Sequence, residues 1–347
     1  MRFYTRQHRH YCGVDLHART MYVCVLDQAG EVLVHRNLKC DRDAFLEVIA
    51  PYRDDLVVAV ECLFCWYWLA DLCTEQGLAF VLGHALYMKA IHGGKSKNDR
   101  IDSFKIAALL RGGTLPQAYV YPRQMRATRD LLRRRQFFAR KRAELLSHIQ
   151  NTNTQYNLTP FEGRIDKAAN REGLIEHFEE DSVQMSIATD MSLLDVYDHA
   201  IHELELYLIH QIREDANALF YLLRTVPGIG EILSMTLLYE IHDIERFPRV
   251  QDFLSYSRLV KGTRESAGKK KTSGGKKMGN VHLKWAFSEA AVLFLRLNAK
   301  GQKYFARLEK KHGKGKALSV LAAKIGRAVY YMLRRHTPFD MKKFAVA

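Results

Sequence analysis

Two aspartates three residues apart, Asp99 and Asp102, lie in KSKNDRIDSFKIAALL (95–110), between a Gly- and Lys-rich segment and an apolar helical pattern. Residues three apart on a helix share a face, so both carboxylates can address one point. Two more acids close apolar runs: Asp15 in YCGVDL (11–16) and Glu61 directly after LVVAV (56–60). Four carboxylates around one cleft repel one another unless hard cations neutralise them. Mg²⁺ accepts oxygen ligands and keeps waters, and a pair of such ions is suited to phosphodiester chemistry. Each acid also has a plainer reading. Asp99 can be an N-cap and Asp102 a first-turn acid favoured by the helix dipole. Asp15 can be a strand-end turn residue and Glu61 a helix-start acid. His17 and His92 lie near these acids in sequence and read as surface or hydrogen-bonded residues. Lys95 and Lys97 would meet phosphate beside such a site, and are otherwise a solvated loop.

The elements that must position the acids are legible as alternating strands and helices over 1–122. Short apolar runs at 11–16, 21–27 and 31–37, joined by tight turns, predict a three-stranded antiparallel meander. DRDAFLEVIAPY predicts a helix capped by Asp41, with Phe45, Val48 and Ile49 on one face. The continuous run 56–60 predicts a central strand buried on both sides. A helix from about Leu63 to Glu75, a strand at 78–83 and a last helix from Asp99 complete the order β-β-β-α-β-α-β-α. In a ribonuclease-H-like (RuvC-like) fold, the first meander strand carries an aspartate, the parallel strand beside it a second acid, and a late helix brings further carboxylates over both. Asp15, Glu61, Asp99 and Asp102 occupy those elements in that order. This conjunction, rather than any single acid, favours the metal site.

Beyond residue 122 the character changes to all-α. RQMRATRDLLRRRQFFARKRAELLSHIQ (123–150) and MSLLDVYDHAIHELELYLIHQI (191–212) predict two long amphipathic helices over 123–215, a helical or coiled-coil linker suited to dimerisation. The basic helix, with Arg126, Arg133, Arg134 and Arg135, suits a phosphate backbone. The region 216–347 reads as a small helical domain. It opens with LLRTVPGIGEILSMTLLYEI, in which Gly228 and Gly230 mark a helix-hairpin-helix turn whose backbone N–H groups can meet phosphate. KGTRESAGKKKTSGGKKMGNVHLK (261–284) holds eight Lys/Arg against one Glu and predicts a flexible basic loop containing Ser266 and Ser273. Its lysines, among them Lys269, Lys270, Lys276 and Lys277, can neutralise a phosphate. A nucleophilic serine would also need its proton removed, and no base is visible locally. A second basic stretch follows at 300–316.

With 53 Lys+Arg against 38 Asp+Glu, the net charge of +15 favours a polyanionic partner, nucleic acid before an anionic membrane surface. No window offers about 18 uninterrupted apolar residues, and the N-terminus lacks the apolar core of a signal peptide. A cytoplasmic protein without membrane association is expected. The six cysteines all lie within the first 73 residues. Cys62 and Cys65 have CxxC spacing but no second ligand pair, so buried, reduced thiols are the better reading than zinc.

Taken in order, GVDLH (13–17), VAVEC (58–62), SKNDRIDSFKIAALL (96–110), VPGIG (226–230) and SAGKKKTSGGKKMGNVHLKWAFSEAA (266–291) resemble the insertion-sequence transposases that join an N-terminal RuvC-like DEDD domain to a C-terminal serine-bearing transposase domain. Pilin-gene invertases are relatives, and the best-understood members are guided by a bridge RNA. The resemblance spans nearly the whole chain. It implies that Asp15, Glu61, Asp99 and Asp102 bind Mg²⁺, two ions in all, and that a serine attacks DNA to form a covalent intermediate. Counting back from KMGN places that serine at Ser266, with Ser273 as the alternative. It further implies donor and target DNA and a guide RNA as partners, action at the nucleoid, and dimers or tetramers with composite active sites. A junction resolvase using water as nucleophile is the alternative activity.

Overall fold

The computed structural model describes residues 2–91, 98–214, 217–266, 269–273, 278–296 and 298–346. They form two compact units, Met1–Arg123 and Gln124–Ala347.

The first unit is built on a five-stranded sheet. Strands β1 (His10–Leu16), β2 (Thr20–Leu26) and β3 (Val32–Lys39) form the expected antiparallel meander. After α1 (Arg42–Ile49), β4 (Leu56–Glu61) pairs parallel to β1. After α2 (Tyr67–Glu75), β5 (Ala79–Gly83) pairs parallel to β4. The spatial order is β3-β2-β1-β4-β5. Two more helices follow, α3 (Ala85–Ile91) and α4 (Asp99–Arg111). Asp41 caps α1 as expected, its carboxylate accepting from Ala44 N at 2.9 Å. The expected helix at Leu63 instead starts at Tyr67, because 62–66 form turns after β4. The helix α3 was not anticipated.

Alternation along the central strands fixes which face each side chain takes. Cys12, Val14 and Leu16 of β1 and Val58 and Val60 of β4 pack with Phe45 and Ile49 of α1 and Leu69 and Leu72 of α2. The intervening Tyr11, Val57 and Ala59 pack on the opposite face against Ile106, Leu109 and Leu110 of α4. Gly13 belongs to that second face. A methyl group there would lie 2.3 Å from the Ser103 carbonyl oxygen and 2.4 Å from Ala107 N. The absence of a side chain is what lets the α4 backbone lie directly on β1.

In the second unit, α5 (Arg123–Gln155) and α6 (Asp181–Glu214) are antiparallel partners. Three contacts set their register: the ion pairs of Arg135 with Glu205 and Arg142 with Asp198, and the hydrogen bond between His148 and Asp190. The first position advances along α5 while the second retreats along α6 by nearly equal steps. The segment between them folds back on the hairpin, burying Ile165, Leu174 and Phe178 against Ile149, Ile187 and Leu194. Buried aliphatics inside an otherwise polar stretch explain why this region has no clear periodicity in sequence.

The other ends of α5 and α6 supply Leu132, Leu208 and Ile212 to a larger core. That core is completed by α7 (Ala218–Arg224), α8 (Glu231–Ile241), α9 (Val250–Tyr256), α10 (Val281–Phe294), α11 (Ala299–His312), α12 (Lys314–Arg335) and α13 (Met341–Val346). Between α9 and α10, the segment read as a flexible loop forms a two-stranded antiparallel hairpin, β6 (Gly262–Ser266) and β7 (Lys269–Ser273). Backbone pairing between the two strands accounts for the difference. Among the described residues, no helix is long and apolar enough to cross a membrane.

Candidate metal site and nucleic-acid-facing residues

The site in the first unit is assembled by register. Gly13 pairs with Ala59 and Val14 with Val60 across β1 and β4. One step further, Asp15 and Glu61 stand side by side at the carboxyl ends of two parallel strands, on the face covered by α4. The close approach at Gly13 then brings the first turn of α4, with Asp99 and Asp102, to the same end of the sheet.

That turn is capped by Asn98, whose side-chain oxygen accepts from Ile101 N at 2.8 Å. The capping role considered for Asp99 is therefore filled by its neighbour. Asp99 and Asp102 are first-turn acids favoured by the helix dipole, with no capping duty of their own. Asp102 lies 3.6 Å from Lys105 Nζ.

His17 joins the cluster, which the sequence reading did not assign to it. Its Nε2 lies 3.5 Å from Asp15 Oδ2 and 3.4 Å from Asp99 Oδ1. These three residues present ligand atoms all within 4.8 Å of one another. The available signal was the D-x-H spacing, which puts His17 directly past the strand end that carries Asp15. The Cys65 and Cys40 thiols donate to the carbonyls of Leu16 and His17, each at 3.1 Å, and so hold the end of β1.

Asp15 is the buried member, with its carboxyl side chain 9% exposed, against 52% for Asp99. Burial pushes its carboxyl above the usual aspartate range. His17 pulls it back, and the charges of Asp99, Asp102 and Glu61 push it up again, for a net upward shift. Asp102 and Glu61 act on Asp15 through their charge but lie outside the group of ligand atoms that Asp15, His17 and Asp99 form. A buried carboxylate facing other negative charges is a poor arrangement for folding and a good one for a divalent cation. The donor set of carboxylate oxygens plus one imidazole fits such an ion.

The cysteines divide by exposure. Cys12, Cys24 and Cys73 are buried free thiols, and burial pushes Cys24 up to about 11 and Cys73 to about 12. Cys40 and Cys65 are half-buried and Cys62 is exposed, contrary to the reading of all six as buried; Cys62 lies in the turn leaving β4.

The arginines singled out on α5 are largely engaged within the second unit. Arg133 makes a two-pronged contact with Glu240, Nε to Oε1 at 2.6 Å and Nη2 to Oε2 at 3.0 Å. Arg129 joins the same carboxylate at 3.0 Å. Asn280, which caps α10, donates to Glu240 from its side-chain amide at 2.7 Å. Arg135 is paired with Glu205, and Arg126 is buried. Arg134 is exposed, with its guanidinium 5.6 Å from the ring centres of Phe137 and Phe138.

Gly228 (φ +84°) sits in the turn between α7 and α8, where a Cβ would lie 2.4 Å from Phe294 N. Its glycine thus serves close packing on α10. Gly230 precedes α8 as its N-cap, with open space around it. Ser266 pairs with Lys269 at one end of the ribbon, and Ser273 with Gly262 at the other. Four rungs at about 3.3 Å separate them by roughly 13 Å along the ribbon. Lys270 lies on β7 opposite Glu265. Lys95, Lys97, His92, Lys276 and Lys277 lie outside the described residues.

Comparison with known proteins matches both units. A DEDD transposase model of the IS110 type covers residues 12–158, and a model described as Transposase IS116/IS110/IS902 family covers 221–306. The transposase for insertion sequence element IS1111A of Coxiella burnetii (strain RSA 493 / Nine Mile phase I) is 23% identical over 341 residues, covering 94% of this chain and 90% of that one. The first match contains all four acids and His17. The second contains both glycines and both serines.

Proposed function

The chain belongs to the IS110 family of insertion-sequence transposases, and on that premise we propose that it is a DNA recombinase whose four-acid site works with a serine of the basic hairpin. The observation that carries this reading is the convergence of Asp15, Glu61, Asp99 and Asp102 at one end of the sheet. In this account 1–122 is the metal-binding domain, 123–215 the helical dimerisation region and 216–347 the transposase domain.

Asp15, Glu61, Asp99 and Asp102 would hold two Mg²⁺ ions, with His17 as an additional donor. Bound there, Mg²⁺ supplies charge neutralisation for a phosphodiester and makes a nearby hydroxyl easier to deprotonate. Ser266 is the proposed nucleophile, with Ser273 as the alternative. Its hydroxyl oxygen forms a bond to phosphorus as the phosphorus–oxygen bond of the DNA strand breaks. The serine proton is released, and the departing strand end takes up a proton to leave as a hydroxyl. Rejoining reverses these steps with a different strand end, so no energy source is needed.

Acids and serine lie far apart in sequence, which favours composite sites between subunits. The outer surface of α6 supports a dimer through the long helices. Met185, Val196 and Tyr207 are exposed and recur every eleven residues, three helical turns apart, with Leu193 beside them. A guide RNA is the remaining part of this reading, and sequencing the nucleic acid that co-purifies with the protein tests it.

The decisive experiment for the reaction is trapping. A covalent protein–DNA adduct formed by the wild type and lost in Ser266→Ala supports the recombinase. Full strand cleavage by both Ser266→Ala and Ser273→Ala, without an adduct, replaces it with a water-using resolvase. For the composite site, Asp15→Ala and Ser266→Ala subunits are co-assembled. Recovery of activity supports composite sites, and failure in every mixture removes them.

A further inference from the structure

The stretch from α11 into α12 carries a charge pattern that folding does not account for. Lys300, Lys303, Arg307 and Lys310 succeed one another at steps of three and four residues, so they share one side of α11, within roughly 80° of its circumference. All four are exposed, while Tyr304 and Phe305 of the same helix pack against the core. Among the described residues, no carboxylate lies within ion-pair distance of any of the four. Elsewhere in this unit several arginines hold acids, as Arg133 holds Glu240 and Arg249 holds Asp252.

Helix electrostatics sharpen the contrast. Lys300 lies in the first turn of α11, and Lys314 and Lys316 lie in the first turn of α12, and neither turn contains an acid. A helix start favours anions, so cations there oppose the helix that carries them. α12 also begins at Gly313 without a side chain to accept its first N–H groups. His312 is held below its ordinary value by burial first, then by Lys316 and Lys311.

We propose that this side of α11, continued by the start of α12, is a docking surface for the sugar–phosphate backbone of duplex DNA. The inference rests on the reading that the chain acts on DNA, and assigns where a duplex is held. A row from Lys300 to Lys310 is about 15 Å long and nearly straight, matching the regular phosphate row of a duplex. No aromatic side chain stands exposed within the row to stack on an unpaired base, as recognition of single-stranded RNA would want.

The test is the salt dependence of binding of a fluorescent 30-bp duplex to the full-length protein. Each phosphate contact contributes about 0.9 to the slope of log affinity against log salt. The triple variant Lys303→Gln, Arg307→Gln, Lys310→Gln is expected to lose roughly 2 to 3 from that slope. Weakening should be equal on unrelated sequences, with no drop in melting temperature. Arg249→Gln, at an exposed but paired arginine, should leave the slope as it is. Wild-type binding with an unchanged slope in the triple variant overturns the surface alone. Loss of single-stranded RNA binding with duplex binding intact also overturns it, in favour of an RNA contact. A wild type with no salt-dependent duplex affinity overturns the DNA reading and this surface with it.

Discussion

Substituting Gly13 by alanine probes how the acids are brought together without touching any of them. The new methyl would sit 2.3 Å from Ser103 O and 2.4 Å from Ala107 N, where ordinary contact begins at about 3.4 Å. Both neighbours are helix backbone, so no side-chain rotation relieves the clash, and α4 must retreat from β1 by about 1 Å. Overpacking of this kind costs about 1–3 kcal/mol. Because Asp99 and Asp102 ride on α4 while Asp15 and Glu61 ride on the sheet, the retreat opens the cluster by the same distance. A misplacement of about 1 Å typically lowers rates by about 10²-fold. Three readings on purified Gly13→Ala test this: thermal unfolding, Mn²⁺ affinity by electron paramagnetic resonance, and strand cleavage. The expected result is a folded protein with weakened metal binding and about 10²-fold slower cleavage. Stability within about 0.5 kcal/mol of wild type, together with unchanged Mn²⁺ affinity, would show that the helix–strand approach does not set the acid geometry.

Three other outcomes follow from the same physics. Asp15 has a raised carboxyl pKa, so its ionised form is disfavoured by folding. Its favourable contribution is present below the ordinary aspartate value and is lost as pH rises through the raised one. Metal-free Asp15→Asn should therefore melt above the metal-free wild type at pH 7, yet gain nothing from Mg²⁺; a lower melting point contradicts the crowding argument. Glu240 behaves oppositely: burial pushes its carboxyl up, but Arg133, Arg129 and Asn280 outweigh this and hold it low. Its contribution is present above the ordinary carboxylate range and lost as pH falls through the lowered value. Glu240→Ala strands two arginines and should destabilise the second unit by about 3–5 kcal/mol, read by chemical denaturation at pH 7; a loss under about 1 kcal/mol would mean water replaces the carboxylate. For the thiols, a disulfide-exchange reagent at pH 8 should modify Cys62 in the folded protein and reach Cys12, Cys24 and Cys73 only on unfolding. Early modification of Cys73 would show that its burial is not maintained.

Much of the first unit is legible in sequence because its signals are local. Alternation and short turns mark the meander, the uninterrupted LVVAV marks a strand buried on both faces, and the positions of Asp15, Glu61, Asp99 and Asp102 along those elements follow directly. What was missed depends on partners distant in the chain. Asn98 takes the cap because its backbone is extended there, which the neighbouring aspartate in the sequence does not reveal. His17 belongs to the cluster only once α4 brings Asp99 across β1. The arginines of α5 read as a phosphate-binding row until Glu240 and Glu205, 70 or more residues later, are placed beside them. Conversely, the row on α11 stands out only after the acids that might have paired with it are seen to lie elsewhere. The hairpin at 262–273 was hidden by composition, since lysine and glycine are weak strand formers and its strands are recognised by their backbone pairing.

Everything proposed for the reaction depends on Asp15, Glu61, Asp99 and Asp102 holding a divalent metal together. Anomalous diffraction from crystals of the full chain grown with Mn²⁺ locates that metal. Manganese peaks bounded by these four carboxylates are expected, and their loss in Asp15→Asn crystals. Crystals with manganese bound elsewhere, or with the four carboxylates ordered and no peak between them at saturating metal, would contradict this.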